Sequence, residues 1–356
     1  MDVGHAAVIG TVAVVDRDDL AMLRMWGRDP VRMLNGLLTN DLGHATTDRA
    51  VYAAILTPKG KVIADVRVFH LPTPEGETEL RLAVPAAAVP TLGEHLRKYV
   101  PPHFAKWEFV DGSIVGVYGP RAAPLVTTAL GVEPATVEDA VTTIDQGGRA
   151  VSAIATRITG VPGYDLFFPA VPRDPAGPAG APSAADATDV ADGLNPDRAA
   201  LSAAARDAGG GDATFEAFEI ARVEAGRPRY GVDITDATLP AEAFEAIGQM
   251  DRAISFSKGC YTGQEVVIRI AHRGHVNRHL RGILLGDVAP PAPGSPLVHP
   301  ETGKQVGFTT SAVVSPALGR AIALGYVRRE VEPGDEVTID ARAATVTELP
   351  FIHRGG

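Results

Sequence analysis

The chain holds a single cysteine, Cys260, among 356 residues. One thiol excludes an internal disulfide and an all-cysteine zinc or iron–sulfur site within the chain. It also points to a reducing compartment, so a cytoplasmic location is expected. Positive charge is scarce: 33 Lys and Arg stand against 43 Asp and Glu, a formal net charge of −10. Duplex-DNA binders are usually basic overall, and direct nucleic-acid binding is not expected. Long apolar runs are missing too. A bilayer span needs about 20 apolar residues, whereas the N-terminal run AAVIGTVAVV is half that length. It follows Asp2 with no Lys or Arg ahead of it, unlike a secretory signal, and reads as a buried strand or core segment, with no membrane partner. There is no GxxxxGK[ST], no GxGxxG after a strand and no HExxH, which leaves ATP, dinucleotide and zincin chemistry unsupported.

What is present fits a soluble globular protein of two or three domains: 45% hydrophobic and 21% charged residues over this length. LAMLRMWG reads as a strand. Asp29 and Pro30 open a helix expected to stop near Thr39-Asn40. VYAAIL and KVIADVRVFHL read as strands joined at Pro58-Lys59-Gly60, and LRLAVP as another. AAVPTLGEHLRKYV reads as a helix ended by Pro101-Pro102. Two further strands flank the turn GVPG at 160–163. From 171 to 212 Ala, Gly, Pro and Asp dominate, which suggests a long loop with a helix after Asn195. TFEAFEIARVEAG reads as a helix ending at Gly226. The last eighty residues are short strands separated by glycine turns, as in a small β-barrel. This mixture is α+β. The expected divisions are 1–170, an α/β region, 171–212, a loop, 213–276, a second α/β portion, and 277–356, the barrel.

The cysteine lies in SKGCYTGQE, residues 257–265. Thr262 and Glu265 form a Thr-x-x-Glu capping box that predicts a helix start. Cys260 then sits just ahead of a helix N-terminus, where positive potential stabilises a thiolate, with the Lys258 ammonium close in sequence. The plainer alternative is a small buried hydrophobe. His272 and His275 are possible bases for such a thiol, although nothing in the sequence brings them to it. Metal binding by His272, His275 and His279 lacks a carboxylate partner. The basic stretch RIAHRGHVNRHLR reads as a solvated face, with attraction of a polyanion, such as a folate glutamate tail or RNA phosphates, as the alternative.

KGCYTGQE, with RVEAGRPRYGVD and LPAE, resembles the YgfZ-type folate-binding proteins. These are relatives of the glycine-cleavage T-protein, an aminomethyltransferase. The resemblance implies an aminomethyltransferase-like fold, three small domains in a ring with a C-terminal β-barrel. It implies tetrahydrofolate or a derivative in a central site. It also implies an accessory role in iron–sulfur cluster assembly or repair, with the assembly machinery or client enzymes such as tRNA-modifying enzymes as partners. By resemblance Cys260 and Lys258 carry the chemistry, while Asp65, Arg222, Tyr261, Gly263, Gln264 and Glu265 contact the cofactor. Two departures weaken catalysis of the aminomethyltransferase kind. Ala64-Asp65 stands where those enzymes have paired aspartates, and the turn GVPG lacks their carboxylates. A tetrahydrofolate-dependent aminomethyltransferase and an RNA-binding scaffold are the alternatives.

Overall fold

The computed structural model describes residues 3–72, 78–170 and 196–354. Most of the expected 171–212 loop lies outside these residues. The N-terminal apolar run divides in two: its first half belongs to helix α1 (Val3–Gly10) and only its second half reaches strand β1 (Ala13–Asp16). Strand β2 (Leu20–Trp26) and helix α2 (Pro30–Asn35) follow, with Pro30 at the first helical position. The helix ends at Asn35, short of the expected Thr39. Then come β3 (Val51–Leu56), β4 (Val62–Leu71), β5 (Glu79–Pro85), helix α3 (Val89–Tyr99) and β6 (Lys106–Val110). These strands form a five-stranded sheet in the order β3-β4-β5-β2-β6.

A second sheet is built from β7 (Gly112–Tyr118), β8 (Val141–Gln146), β9 (Arg149–Thr156), β10 (Gly163–Pro169) and β11 (Gly211–Asp212), with β1 among them. Its order is β11-β1-β7-β10-β9-β8. Helices α4 (Ala122–Leu130) and α5 (Pro196–Asp207) belong to this half, the latter where a helix was expected after Asn195. The sheets meet through Met22, Phe69 and Ala83 on one side and Ile114, Ile154 and Phe167 on the other. Burying each of the two Phe side chains contributes about 1.5–3 kcal/mol.

Helix α6 (Phe215–Glu224) begins at Thr214, whose hydroxyl accepts from Ala217 N. Short helices α7 (Pro240–Phe244) and α8 (Met250–Ala253) and helix α9 (Gln264–Arg273) lead to the barrel. Its strands are β12 (Arg278–Leu284), β13 (Pro296–Val298), β14 (Gln305–Ser315), β15 (Arg320–Arg328), β16 (Glu336–Ile339) and β17 (Arg342–Thr347). They close in the order β12-β15-β14-β13-β16-β17, which leaves no free edge.

Two buried charges on α6 fasten the barrel. Arg222 is fully buried. Its Nε and Nη2 donate to Glu219 at 2.7 and 2.8 Å, Nη1 to Asp233 at 2.8 Å and to Arg227 O at 2.5 Å, and Nη2 also to Ser311 at 2.9 Å. A guanidinium has five N–H donors, and all are used. The expected contact between Arg222 and a folate carboxylate is therefore corrected: no donor remains for a ligand. Glu224, also fully buried, accepts from His5 at 2.8 Å and from Ser315 and Arg354. It thus ties α1, α6, the barrel and the C-terminal segment together. Burial works to raise its pKa, but the hydrogen bonds from His5, Ser315 and Arg354 prevail and hold it at about 2.

A carboxylate whose pKa is depressed on folding contributes stability above its unfolded pKa and loses that contribution as pH falls through the folded value. The Glu224 contribution, on the order of 3 kcal/mol, is therefore expected to fade between about pH 4.5 and pH 2. Urea midpoints measured across that window test this. Glu224→Gln is expected to be less stable than the wild type at pH 7 and to show a shallower acid slope.

Candidate functional site

Alternation along β4 sends Asp65 and Arg67 to one face of the strand. That face looks toward the second sheet. Between them lies a cavity of about 80 Å³, lined among others by Leu20, Tyr52, Asp65, Arg67, Arg227 and Arg252. It is larger than the roughly 30 Å³ of one liquid water and smaller than a whole ligand site of about 300 Å³ or more. Clefts extend it on both sides. One, at Asn40, Asp139 and Ser255, shares Tyr52 and Arg252 with the cavity. The other, at Arg157 and Arg354, shares Arg227 and Ile247.

The cavity wall offers one acceptor and one donor that the described residues leave unsatisfied. Asp65 Oδ2 accepts from the Tyr52 hydroxyl at 3.0 Å, but Oδ1 is buried without a hydrogen-bond partner. Arg67 Nη2 donates to Asp165 at 2.7 Å, and its Nη1 is likewise buried and unpartnered. Native proteins rarely leave such atoms unpaired. Burial raises the Asp65 pKa, against the opposing pull of the Tyr52 hydrogen bond and of the Arg67 and Arg252 charges. Burial and the Asp65 charge together push the Tyr52 phenol well above its ordinary range, so it remains a donor.

The other charges here are committed. Asp165, on β10, accepts from Arg17 at 2.8 Å, Arg67 at 2.7 Å and the Tyr118 hydroxyl at 2.5 Å. Burial alone would raise its pKa; Arg17 and Arg67 bring it down. Arg252 donates to Asp139 at 2.7 and 2.6 Å and lies over the Tyr52 ring at 4.5 Å. Asp165 comes two residues after the GVPG turn, so a carboxylate does stand there, already spent on two arginines. Arg67, Tyr52, Arg227 and Arg252 were missed from sequence. Arg67 alone left a local signal, its two-residue spacing from Asp65.

The cysteine motif is elsewhere. Cys260 is exposed and lines none of the cavities described. Its sulfur does not open onto the cavity at Asp65, and the alternative of a buried thiol is corrected. Lys258 does not serve the thiol either. Its Nζ lies 2.7–3.0 Å from Asn35 O, Leu38 O, Asn40 O and Asn35 Oδ1, which cap the end of α2. Burial lowers the Lys258 pKa to about 8. Tyr261 is buried in the core of the first sheet, and burial pushes its phenol up to about 12. Gln264 Oε1 accepts from Tyr261 N at 3.2 Å. None of these lines the cavity, and Glu265 is exposed in the first turn of α9.

The helix expected after the cysteine exists as α9, but Thr262 does not cap it. Gly263 is its N-cap, at φ +83°, with no side-chain cap. A Cβ at 263 would lie 2.6 Å from Thr57 O, and one at Gly60 would lie 2.7 Å from Val266 Cβ. Close approach to the β3–β4 turn, which only glycine permits, sets the start of the helix. His272 meets Phe256 ring to ring at 6.5 Å. Among the described residues no cluster of His, Cys, Asp or Glu could hold a metal ion.

Comparison with known proteins adds a lineage to this geometry. Residues 2–172 match the GCVT N-terminal domain, and residues 278–353 match the glycine cleavage T-protein C-terminal barrel domain. The aminomethyltransferase of Moorella thermoacetica is 28% identical over 98% of this chain and 89% of its own length. That of Frankia alni is 27% identical over 98% and 88%. The crystal structure of glycine cleavage system aminomethyltransferase T from Bartonella henselae superposes with a TM-score of 0.77 at 20% identity, covering 98% of this chain and 89% of that one.

If the motif residues brace a loop, Lys258→Met should lower stability by about 1–3 kcal/mol through unsatisfied buried carbonyls. Cys260→Ser should stay within about 0.5 kcal/mol of the wild type, as surface changes do. Urea unfolding of both variants checks the order; a costlier cysteine change would contradict it.

Proposed function

Because the chain belongs to the glycine-cleavage T-protein family, we propose that it binds a reduced folate in the cavity at Asp65 and takes part in one-carbon transfer of the aminomethyltransferase kind. The observation that carries this reading is the unsatisfied pair on one face of β4, Asp65 Oδ1 and Arg67 Nη1. A pterin presents amino and ring N–H donors beside a carbonyl acceptor, so the two atoms suit its two kinds of edge. Bound tetrahydrofolate supplies the amine nitrogens that take up a one-carbon unit. The protein's part is to orient the ring, exclude water and manage a proton. Tyr52 occupies Oδ2, which confines proton exchange to Oδ1 of Asp65, and burial makes that carboxyl easier to protonate than an exposed one.

A second reading has its own observation. Cys260 is exposed on a loop whose neighbours are pinned by Lys258, Tyr261 and Gly263, outside the cavity. Such a thiol suits an accessory protein of the YgfZ type. In this reading the folate-loaded protein serves iron–sulfur cluster assembly or repair and, through it, tRNA-modifying enzymes. The single acid at Ala64-Asp65 also agrees with a protein that binds folate without full transferase chemistry.

Calorimetry with tetrahydrofolate tests the binding shared by both readings. Asp65→Asn is expected to weaken it at least about tenfold, the cost of one charge-assisted hydrogen bond. A folate-binding protein that forms methylenetetrahydrofolate from a lipoyl-bound aminomethyl donor supports the transferase. Binding without transfer, together with loss of cluster-enzyme activity in cells carrying Cys260→Ser, supports the accessory role. Asp65→Asn also has a pH signature. A raised folded pKa means that Asp65 costs stability as pH rises through it. The variant should therefore gain on the wild type with rising pH when thermal midpoints are compared between pH 4 and 8.

A further inference from the structure

We propose that Asp139 and Arg252 form a clamp that positions Tyr52 against Asp65, which makes Arg252 a positioning residue of the site. The placement of Tyr52 stands on geometry; its service to one-carbon transfer rests on the folate reading above.

Three parts of the chain meet at the clamp. Tyr52 comes from β3, Arg252 from α8 and Asp139 from the segment just ahead of β8. Asp139 is buried and sits at φ +67°, a left-handed conformation uncommon outside glycine and best tolerated by Asn and Asp. Such an outlier persists only where its surroundings over-determine it. Here Asp139 N donates to Ala155 O at 3.0 Å, and Asp139 O accepts from Ala50 N at 2.8 Å. The residue is thereby fixed both to β9 and to the approach to β3, two residues before Tyr52. Its carboxylate accepts from Arg252 Nε and Nη2 at 2.7 and 2.6 Å, and Arg252 Nη1 donates to Gln249 at 2.6 Å. A guanidinium gripped by two bonds to one carboxylate has little freedom left.

The guanidinium carbon lies over the Tyr52 ring, 4.5 Å from its centre, while Phe244 meets the same ring edge-on at 6.0 Å. The backbones are joined as well: Asn40 Nδ2 donates to Tyr52 O at 2.9 Å and to Arg252 O at 2.8 Å. The hydroxyl of the ring so held donates to Asp65 Oδ2 at 3.0 Å. Arg252 therefore acts on Asp65 through Tyr52 and by its own charge, and both oppose the burial that raises the Asp65 pKa. Arg67 and Tyr230 also face Asp65, with Arg227 and Glu138 on the cavity wall. Beyond Arg252 the larger cleft adds the cations His44 and Arg49 and the anion Asp251.

The test reads Asp65 without ligand. Thermal midpoints of proteins with Asp65 and with Asp65→Asn are compared between about pH 4 and pH 8, in wild-type, Arg252→Met and Tyr52→Phe backgrounds. A carboxyl whose pKa is raised on folding costs stability as pH rises. Arg252→Met should therefore enlarge the gain of Asp65→Asn and move the pH at which it levels off upward. Once Tyr52→Phe is present, Arg252→Met should add less, because the two residues act as a unit. Arg252→Lys keeps the charge but not the planar fork. It should shift the profile in the same direction by less, and it decides the matter should Arg252→Met fail to fold. A profile unmoved in the folded Arg252 variant, or an effect undiminished by Tyr52→Phe, overturns the clamp. In calorimetry Arg252→Met should weaken tetrahydrofolate about threefold or more. If no folate binds to the wild type, the folate reading falls while the pH profile still decides the clamp.

Discussion

The ion pair between Arg67 and Asp165 ties the two sheets together at the point where the site is built. Asp165 is nearly inaccessible, and on its own sheet Arg17 and Tyr118 already hold it. Arg67 reaches it from β4, the strand that also carries Asp65. A buried carboxylate with three donors has one stable position, and breaking such a set is costly. The pair therefore fixes how Arg67 enters the cavity, with one nitrogen spent on Asp165 and another left for a ligand.

The acids around the cavity are few, and most are spent on arginines. Asp65 is preceded by Ala64, and Asp165, two residues after the GVPG turn, is neutralised by two arginines. The cavity is left with one carboxylate free to accept and several guanidiniums around it.

Much of the fold was legible because its signals are local. The turn at Pro58-Lys59-Gly60 separates β3 from β4, the glycine-punctuated strands close into a barrel, and Thr214 opens α6. The run AAVIGTVAVV left strand and core segment open because it carries no period that separates helix from strand. The capping box at Thr262 was overruled by a tertiary demand, the approach of Gly263 to Thr57. The site was less legible. Asp65, named by resemblance, does line the cavity, but Arg227 and Arg252 reach it from segments far apart in the chain, and no short-range pattern records that. Arg222 was named by resemblance alone, yet it is wholly consumed by the barrel joint.

The contact between Gly60 and the start of α9 reaches further than packing. The hairpin tip at Gly60 leads directly into the strand bearing Asp65, and Gly263 rests on that tip three residues after Cys260. Thiol loop and acid strand are thus mortised together, with Gly263 against Thr57 and the Val266 side chain against Gly60. A protein that grasps the outer loop would grip the same rigid block that frames the buried carboxyl, and neither part can be reshaped without recutting the other.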